Sequence, residues 1–432
     1  MVITLAKEGL VYVLDVHGNA VFQFKNSAAD PRGVCLIGGD ASYSGLGCGA
    51  DYFAVAQPKK PLIHLYSWLK SQVSMSFHVQ EVTTSLVADT SGTFLFGGSK
   101  GGRIFCWQLS DGALIKVWQA HFRGVSCMQM SPCNNILVTS SEDGMTAAWN
   151  LVDLVDRDNK RSPTALDTWS SHTLAVKDML VMGNLSTLRV ATCSLDQTVV
   201  LYDVHCKTEC FRKAMPRPVE SLLVNGAENT LYCGTDDGSI YILDMALVAM
   251  ATSAAHMELS ILGGSASASV SACTFDSSSE GGNSGEVPRL NGGHTACVTS
   301  MAMCIDDITL ISASEDGSII YWDALTRQMV RKWSPPNSPT SCSISNVLVC
   351  FKPEQLDIGV QRPSLLPFAH LKKYKDKGST EDGSKERDAV PLGLHSYGSW
   401  AENESVTVAD LHASVMDTSQ NDPNVLPMFM KL

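Results

Sequence analysis

The chain has 432 residues, of which 44% are hydrophobic and 18% are charged, a composition typical of a globular protein with a large core. Its 32 Lys and Arg residues against 44 Asp and Glu residues give a net charge of −12, which disfavours direct binding to RNA or DNA because nucleic-acid sites need clustered positive charge. The sequence has no apolar run long enough to span a membrane and no secretory signal pattern at its start, so we expect an intracellular chain with no membrane partner.

One phrase recurs along the chain: an apolar run, a strand of small residues, an acidic turn with glycine, and an alternating strand that ends in an aromatic residue. The clearest copies are residues 136–150 and 309–323, which both contain Ser-Glu-Asp-Gly. In chain order the phrases end at Leu14-Asp15, Tyr66-Ser67, Trp107-Gln108, Trp149-Asn150, Tyr202-Asp203, Leu243-Asp244 and Trp322-Asp323. Neighbouring ends such as Trp107 and Trp149 lie about 40 residues apart, the period of a four-stranded propeller blade. Seven ends predict an all-β, seven-bladed WD-repeat β-propeller.

The two ends of the predicted ring are complementary. The last phrase is followed by one strand more than its blade requires, within residues 341–351, whereas the chain before Ile3 is one strand short. We therefore predict that residues 341–351 complete the first blade and close the ring, which removes an open sheet edge. The propeller is expected to span residues 1–351.

Several stretches break the repeat. Residues 154–167 are polar and contain Pro163, and residues 252–291 are rich in Ser, Gly and Ala with almost no aromatic side chains. We interpret the longer stretch as a flexible insertion, although the doubled spacing from Leu243 to Trp322 could also conceal a degenerate eighth blade.

The region after the ring divides into two parts. Residues 352–371 contain several prolines and are predicted to form either a strap along the propeller wall or a docking segment for a partner. Residues 372–432 are predicted to be a charged linker and a mostly disordered C-terminal tail. The candidate partner-docking residues are Arg362, Pro363, Leu365, Leu366, Pro367 and Phe368.

The sequence contains no pattern typical of catalysis. Gly97-Gly-Ser99-Lys-Gly101 matches the G-x-S-x-G nucleophile motif, but that motif needs a strand-to-helix turn and here a strand continues from Arg103. There is no phosphate-binding loop, dinucleotide fingerprint or metal-spaced Cys/His cluster, and the 14 cysteines contain no CxxC pair. We predict no enzyme activity, no catalytic, metal or cofactor-binding residues, no cofactor, and cysteines that are reduced thiols of the core.

The repeats resemble those of WD-repeat families, in which a His before the phrase, the turn Asp, a strand Ser or Thr and the Trp form a buried hydrogen-bonded set. The resemblance implies two such sets and one degraded version, in which Tyr replaces Trp. The implied members are His121, Asp143 and Trp149; His294, Asp316 and Trp322; and His172, Asp196 and Tyr202.

A more specific resemblance begins at Trp169-Ser-Ser-His172 and continues through residues 188–203. The motifs Asp30-Pro-Arg-Gly33, Arg362-Pro-Ser-Leu-Leu-Pro367 and Leu392-Gly-Leu-His395 occur in the same order as in that family. On these motifs the chain resembles the WD-repeat subunit of the rixosome, the nuclear complex that matures the large ribosomal subunit.

The resemblance implies a non-enzymatic scaffold in the nucleolus and nucleoplasm. The propeller would dock a large helical-repeat subunit and contact pre-ribosomal particles, supporting removal of the internal spacer from pre-rRNA, while associated nuclease, kinase and AAA-type ATPase partners perform the chemistry. Family members end in a coiled coil that pairs two copies, but the tail after Leu411 has no sustained heptad pattern and contains prolines. A homodimer is therefore not predicted.

Two other functions are compatible with a propeller. Substrate receptors of ubiquitin ligases carry Trp-Asp-x-Arg, whereas the positions that follow Asp203 and Asp323 here are His205 and Leu325. A generic signalling scaffold is the other alternative, and no motif marks it.

Overall fold

The structure is a computed structural model that describes residues 2–6, 10–15, 19–25, 28–38, 40–42, 46–48, 52–68, 71–157, 161–183, 187–245, 288–290, 293–335, 343–350 and 369–374. The chain divides into two compact units, Met1–Thr380 and Glu381–Leu432, and all described residues belong to the first.

Seven four-stranded antiparallel sheets form the blades of a propeller, and their strands are named A to D from the centre outwards. Blade 1 contains β30 (Ile344–Val349), β1 (Val2–Ala6), β2 (Leu10–Leu14) and β3 (Ala20–Lys25). Blade 2 contains β4 (Val34–Ile37), β7 (Tyr52–Ala56), β8 (Leu62–Ser67) and β9 (Met75–His78), with the small pair β5 (Asp40–Ser42) and β6 (Leu46–Cys48) between its first two strands. Blade 3 contains β10 (Thr83–Ala88), β11 (Phe94–Ser99), β12 (Arg103–Gln108) and β13 (Leu114–Gln119).

The remaining blades follow in chain order. Blade 4 contains β14 (Val125–Met130), β15 (Ile136–Ser141), β16 (Met145–Asn150) and β17 (Asp167–Ser170), with the short helix α1 (Leu151–Val155) before its last strand. Blade 5 contains β18 (Val176–Met182), β19 (Arg189–Ser194), β20 (Thr198–Asp203) and β21 (Thr208–Ala214). Blade 6 contains β22 (Val219–Val224), β23 (Thr230–Thr235), β24 (Ile240–Asp244) and β25 (Arg289–Leu290), and blade 7 contains β26 (Val298–Met303), β27 (Thr309–Ser314), β28 (Ile319–Asp323) and β29 (Met329–Trp333).

The predicted phrase ends coincide with the ends of the C strands, so the prediction of seven blades is confirmed. Strand β25 pairs with β24 through Ile240 and Leu290, so the two strands that flank residues 246–287 in the sequence belong to the same blade. The A strands of blades 6 and 7 are direct neighbours, and the Ser221 hydroxyl donates to the Val298 carbonyl at 2.9 Å. An eighth blade between blades 6 and 7 is therefore excluded, and the predicted insertion itself lies mostly outside the described residues.

The ring closes as predicted, because β30 is the A strand of the blade whose other strands are N-terminal. It pairs antiparallel with β1, with Val2 opposite Val349 and Thr4 opposite Val347. The same strand is joined to blade 7, since the Thr299 hydroxyl donates to the Ile344 carbonyl at 2.6 Å. Closure through a non-local strand leaves no A strand unpaired at the junction.

The core lies between adjacent blades, where the faces of neighbouring sheets bury alternate side chains. Between blades 1 and 2, Phe24 meets Phe53 edge to face with ring centroids 5.0 Å apart, and Phe53 stacks on Tyr66 at 4.9 Å. Trp68 is 1% exposed in the same cluster. Each blade therefore depends on its neighbours for burial, as expected of a repeat fold.

A short segment after the ring, residues 369–374, lies against blades 2 and 3. Leu371 is 6% exposed in the apolar cluster that contains Phe77 and Leu114, and the Lys372 N–H donates to the Gly112 carbonyl at 2.6 Å. Gly112 has a φ of 62°, and a Cβ there would lie 2.1 Å from the His370 carbonyl oxygen, so only glycine fits this contact. The candidate docking residues Arg362, Pro363, Leu365, Leu366, Pro367 and Phe368 lie outside the described residues.

Candidate functional site

The most complete hydrogen-bonded set is in blade 7. His294 precedes the A strand, and its Nε2 lies 2.8 Å from the Ser312 hydroxyl, which also accepts the indole N–H of Trp322 at 2.9 Å. On the other side of the imidazole, His294 Nδ1 lies 3.1 Å from the Ser318 hydroxyl and 3.5 Å from Asp316. The structure thus joins all three residues of this implied set through two serine hydroxyls.

Blade 4 has the same arrangement with threonine in place of serine. His121 Nε2 lies 2.9 Å from the Thr139 hydroxyl, which accepts the indole N–H of Trp149 at 3.0 Å. Asp143 is 4.0 Å from His121 Nδ1 and instead accepts the backbone N–H of Phe122 at 3.1 Å. Asp143 therefore holds the loop that carries the histidine more than the imidazole itself.

In blade 5 the structure brings together only part of the implied set. His172 lies 3.1 Å from Asp196 and 2.8 Å from the Thr192 hydroxyl. The Tyr202 hydroxyl instead donates to Asp167 of the neighbouring blade at 2.9 Å, and its ring stacks on Trp169. Because a phenol extends further than an indole N–H, Tyr202 links two blades and does not join the His172 set.

Burial keeps these imidazoles neutral. Desolvation outweighs the attraction of Asp143, Asp196 and Asp316 and holds the pKa of His121, His172 and His294 below the usual 6.5. Burial would also raise the pKa of Asp316, but the hydroxyl and N–H of Ser318 and the N–H of Thr295 hold that pKa at about 2. The sets of blades 5 and 7 therefore combine a neutral histidine with an ionised aspartate, Asp196 or Asp316, an arrangement that ties the loop to the B–C turn.

The Asp30-Pro-Arg-Gly33 motif occupies the centre of the ring, a position that the sequence did not reveal. The Gly33 N–H donates to the Asp30 carbonyl at 3.0 Å, and Arg32 has a φ of 63°, so the motif forms a turn with proline second and a left-handed residue third. An arginine with a left-handed backbone conformation is strained, and the contacts of its side chain offset the cost of this strain.

Arg32 reaches across the central channel from blade 2 to blade 5. Its Nη2 donates to Asp178 Oδ2 on β18, and the Asp178 side chain is 2% exposed. Asp178 also accepts the backbone N–H of Leu222 on β22 at 2.8 Å. Burial would lower the pKa of the Arg32 guanidinium, but the charge of Asp178 and the hydrogen bond to it raise that pKa above its usual value.

The backbone of the same turn is held by the strand that closes the ring. Asn346 on β30 accepts the Arg32 N–H at 2.8 Å and donates to the Asp30 carbonyl at 2.8 Å. The Arg32 carbonyl accepts the N–H of Leu86 on β10 at 3.1 Å. We call Asp30, Arg32, Asp178 and Asn346 the central hub, because together they connect blades 1, 2, 3, 5 and 6.

The described residues were also compared with the metal-ligating and nucleophile patterns considered in the sequence. They contain no group of three or more His, Cys, Asp or Glu side chains that could hold a metal ion, and the cysteines described are free thiols. Burial raises the pKa of Cys35 and Cys127 to about 12, so neither forms a reactive thiolate at neutral pH. Ser99 of the G-x-S-x-G match ends a strand and its hydroxyl accepts the Arg103 N–H, so it belongs to a blade turn as predicted. In the same part of the chain no helix is long and apolar enough to cross a bilayer.

Comparison with known proteins supports the repeat family and the fold. The family model "WD domain, G-beta repeat" matches residues 112–150 and 286–323, the regions of the two clearest repeats. Among solved structures, the computationally designed Ika8 protein superimposes with a TM-score of 0.51 over 80% of this chain and 86% of that one, at 15% identity. This similarity concerns the fold alone.

Curated relatives match the chain over most of its length. A protein named "Pre-rRNA-processing protein IPI3" from Yarrowia lipolytica is 28% identical over 332 residues, covering 75% of this chain and 70% of the relative. "WD repeat-containing protein 18" from Bos taurus is 25% identical over 393 residues, covering 90% and 80%, and the Homo sapiens protein of that name is 25% identical over 392 residues with the same coverage. The chain is therefore a seven-bladed β-propeller that contains WD repeats, and it is similar over most of its length to proteins named for pre-rRNA processing and to WD repeat-containing protein 18.

Proposed function

We propose that the chain is a non-enzymatic scaffold subunit of the rixosome, acting in the nucleolus and nucleoplasm in processing of the pre-rRNA internal spacer and in assembly of the large ribosomal subunit. The observation that carries this proposal is the similarity to the pre-rRNA-processing proteins, which extends over 75% of the chain. A family resemblance limited to the WD repeats would not distinguish among the many functions of propellers.

The non-enzymatic part of the proposal is supported by the contacts of the blade histidines. The imidazoles of His121, His172 and His294 are all engaged with hydroxyl groups inside their blades. We propose that these sets, with Asp143, Trp149, Asp196, Asp316 and Trp322, stabilise the blades, while Tyr202 acts between two blades.

The partners proposed are proteins: a large helical-repeat subunit of the complex and the pre-ribosomal particle. For residues 352–371 we propose the strap, because the described end of this segment, Leu371, is buried against blades 2 and 3. Docking by residues 362–368 is compatible with that role, since a strap anchored at one end can present the residues before the anchor to a partner.

The proposal is tested by replacing the endogenous protein with a tagged, depletable copy. Depletion should cause pre-rRNA that retains the internal spacer to accumulate in northern hybridisation, and the tagged chain should be recovered from nuclear extract with helical-repeat proteins and precursor RNA. Normal spacer processing during complete depletion, or an intact propeller recovered with cullin adaptors instead, would refute the role. Re-expression of the wild-type chain is the control for indirect effects of depletion.

A further inference from the structure

The upper face of the propeller, defined here by the B–C turns and the loops that lead from one blade to the next, has an uneven charge distribution. In blades 4, 6 and 7 the B–C turn carries two adjacent acidic residues, whereas in blades 2 and 3 it carries lysines. The acidic turns are Glu142-Asp143, Asp236-Asp237 and Glu315-Asp316, and the basic ones are Lys59-Lys60 and Lys100. One side of this face is thus basic although the chain carries a net charge of −12.

The basic side is extended by Arg123, in the loop between blades 3 and 4, and we call Lys59, Lys60, Lys100 and Arg123 the basic arc. All four side chains are exposed, and in the described part of the chain none of them forms an ion pair. Unpaired cations on an acidic protein are available for a ligand of opposite charge.

Phe122 lies beside the arc and is 95% exposed. Its backbone is fixed, because its N–H donates to Asp143. The residues at the same position in blades 5 and 7, Thr173 and Thr295, donate the same bond to Asp196 and Asp316. The fold therefore requires only the N–H at this position, and threonine satisfies it, so the phenyl ring of Phe122 has no role in the blade.

A second exposed apolar side chain, Leu174, lies on the next loop along the upper face and is 52% exposed. Only the blade 4 turn separates the two loops: a Cβ at Gly144 would lie 3.2 Å from the Leu174 carbonyl oxygen. Isolated apolar side chains are common on surfaces. Here, however, two of them lie on loops on either side of the blade 4 turn, and Phe122 is adjacent to Arg123 of the basic arc.

We propose that the basic arc together with Phe122 and Leu174 binds an acidic, extended segment of a partner protein. An apolar side chain of the segment packs on Phe122 and Leu174, and its carboxylates contact Lys100 and Arg123 and then the lysines of blade 2. This inference rests on the proposed scaffold role and names the chemistry of one partner contact.

Peptide is favoured over single-stranded RNA by the apolar half of the site. RNA platforms stack successive bases on several aromatic rings, whereas the exposed apolar side chains of this site are one aromatic ring, Phe122, and the aliphatic Leu174.

The test is a selection of phage-displayed random dodecapeptides on the full-length chain, followed by affinity measurements with the enriched peptides. We expect sequences that combine several Asp or Glu residues with an apolar residue. Their affinity should fall by about tenfold or more with Phe122→Thr and with the double variant Lys100→Glu/Arg123→Glu. Phe122→Thr should melt at the wild-type temperature, since threonine occupies the same position in two other blades.

Matched controls are Leu325→Ser, which removes a side chain that is 77% exposed on the opposite face, and Arg331→Glu/Lys332→Glu, which changes the net charge equally on the outer strand of blade 7. Both controls should leave the affinity within about twofold of wild type. Enrichment of neutral or basic peptides, no enrichment, or equal binding by Phe122→Thr would overturn the proposal. Tighter binding of a labelled oligouridylate through the same residues would overturn it in favour of RNA. Because this assay uses no pre-rRNA, a negative result would refute the peptide site, and the proposed scaffold role would still be decided by the depletion experiment.

Discussion

Replacing Arg32 with methionine should destabilise the whole ring through the central hub. The substitution keeps the aliphatic part of the side chain but leaves the Asp178 carboxylate, 2% exposed, without its cation. Removing one partner of a buried ion pair typically costs about 3–5 kcal/mol. The Arg32 side chain is 33% exposed, so water screens part of this interaction, and we expect a loss of about 2 kcal/mol.

The measurement is urea unfolding monitored by tryptophan fluorescence, with a double-mutant cycle that includes Asp178→Asn. The cycle should give a coupling energy of about 1–2 kcal/mol, because both groups belong to one network. Hydrogen exchange gives a local readout: the Leu222 N–H, which donates to Asp178, should exchange faster in both single variants.

Arg327→Met is a matched control for the backbone. Arg327 has a φ of 59°, close to the 63° of Arg32, but it is exposed in the C–D turn of blade 7 and contacts no buried acid among the described residues. Its replacement should change the stability by less than about 0.5 kcal/mol. If Arg32→Met and Arg327→Met were equally stable, the cross-channel contact would contribute nothing and the reasoning would be refuted.

Three further predictions concern the blades and the strap. Ser312→Ala removes the hydroxyl shared by His294 and Trp322 and should cost about 1–3 kcal/mol in urea unfolding, because two buried polar groups lose their partner; an unchanged midpoint would contradict this. The stabilisation from the neutral histidines should be fully present above pH 6.5 and should be lost as the pH falls below that value. The reason is that burial lowers the pKa of these histidines, so the folded chain does not take up the protons that the unfolded chain binds. If the urea midpoint stayed constant or increased as the pH was lowered from about 7.5 to 5.5, the histidines would not be buried as neutral groups. Leu371→Asp should release residues 369–374 from blades 2 and 3 and speed tryptic cleavage there, whereas Tyr374→Ser, at a side chain 67% exposed, should not.

The strands and the closure of the ring were predictable from the sequence because their signals are local. Alternation of apolar residues and acidic-glycine turns marks each hairpin within about 15 residues, and the extra strand near Ile344 was expected to supply the strand that the first blade lacked. The members of the blade sets were implied by the resemblance to WD-repeat families, which did not specify the hydroxyl that mediates each set, Thr139 in blade 4 and Ser312 in blade 7.

The central hub could not be predicted in the same way. Arg32 and Asp178 are separated by 146 positions, and no periodic pattern relates a turn before blade 2 to a strand of blade 5. The sequence marked Asp30-Pro-Arg-Gly33 as a motif, yet nothing local distinguishes a turn on the surface from one in the channel. Tyr202 was misplaced for a related reason: the repeat fixes its position in the blade but not the reach of its hydroxyl, which extends to Asp167.

The positions at which the repeats differ are more informative about function than those at which they agree. The shared features, such as the hydroxyl between histidine and tryptophan in blades 4 and 7, satisfy buried polar groups within the blade, and they therefore stabilise the fold. Phe122 departs from Thr173 and Thr295 at a position where only the backbone N–H is needed, so stability places no demand on its side chain. The central hub differs from Phe122, because the side chain of the strained residue Arg32 makes contacts that stabilise the fold. Substitutions in the central hub should consequently lower both the free energy of unfolding and partner binding. Substitutions in the basic arc should change partner binding alone, so they allow assembly to be tested without unfolding the propeller.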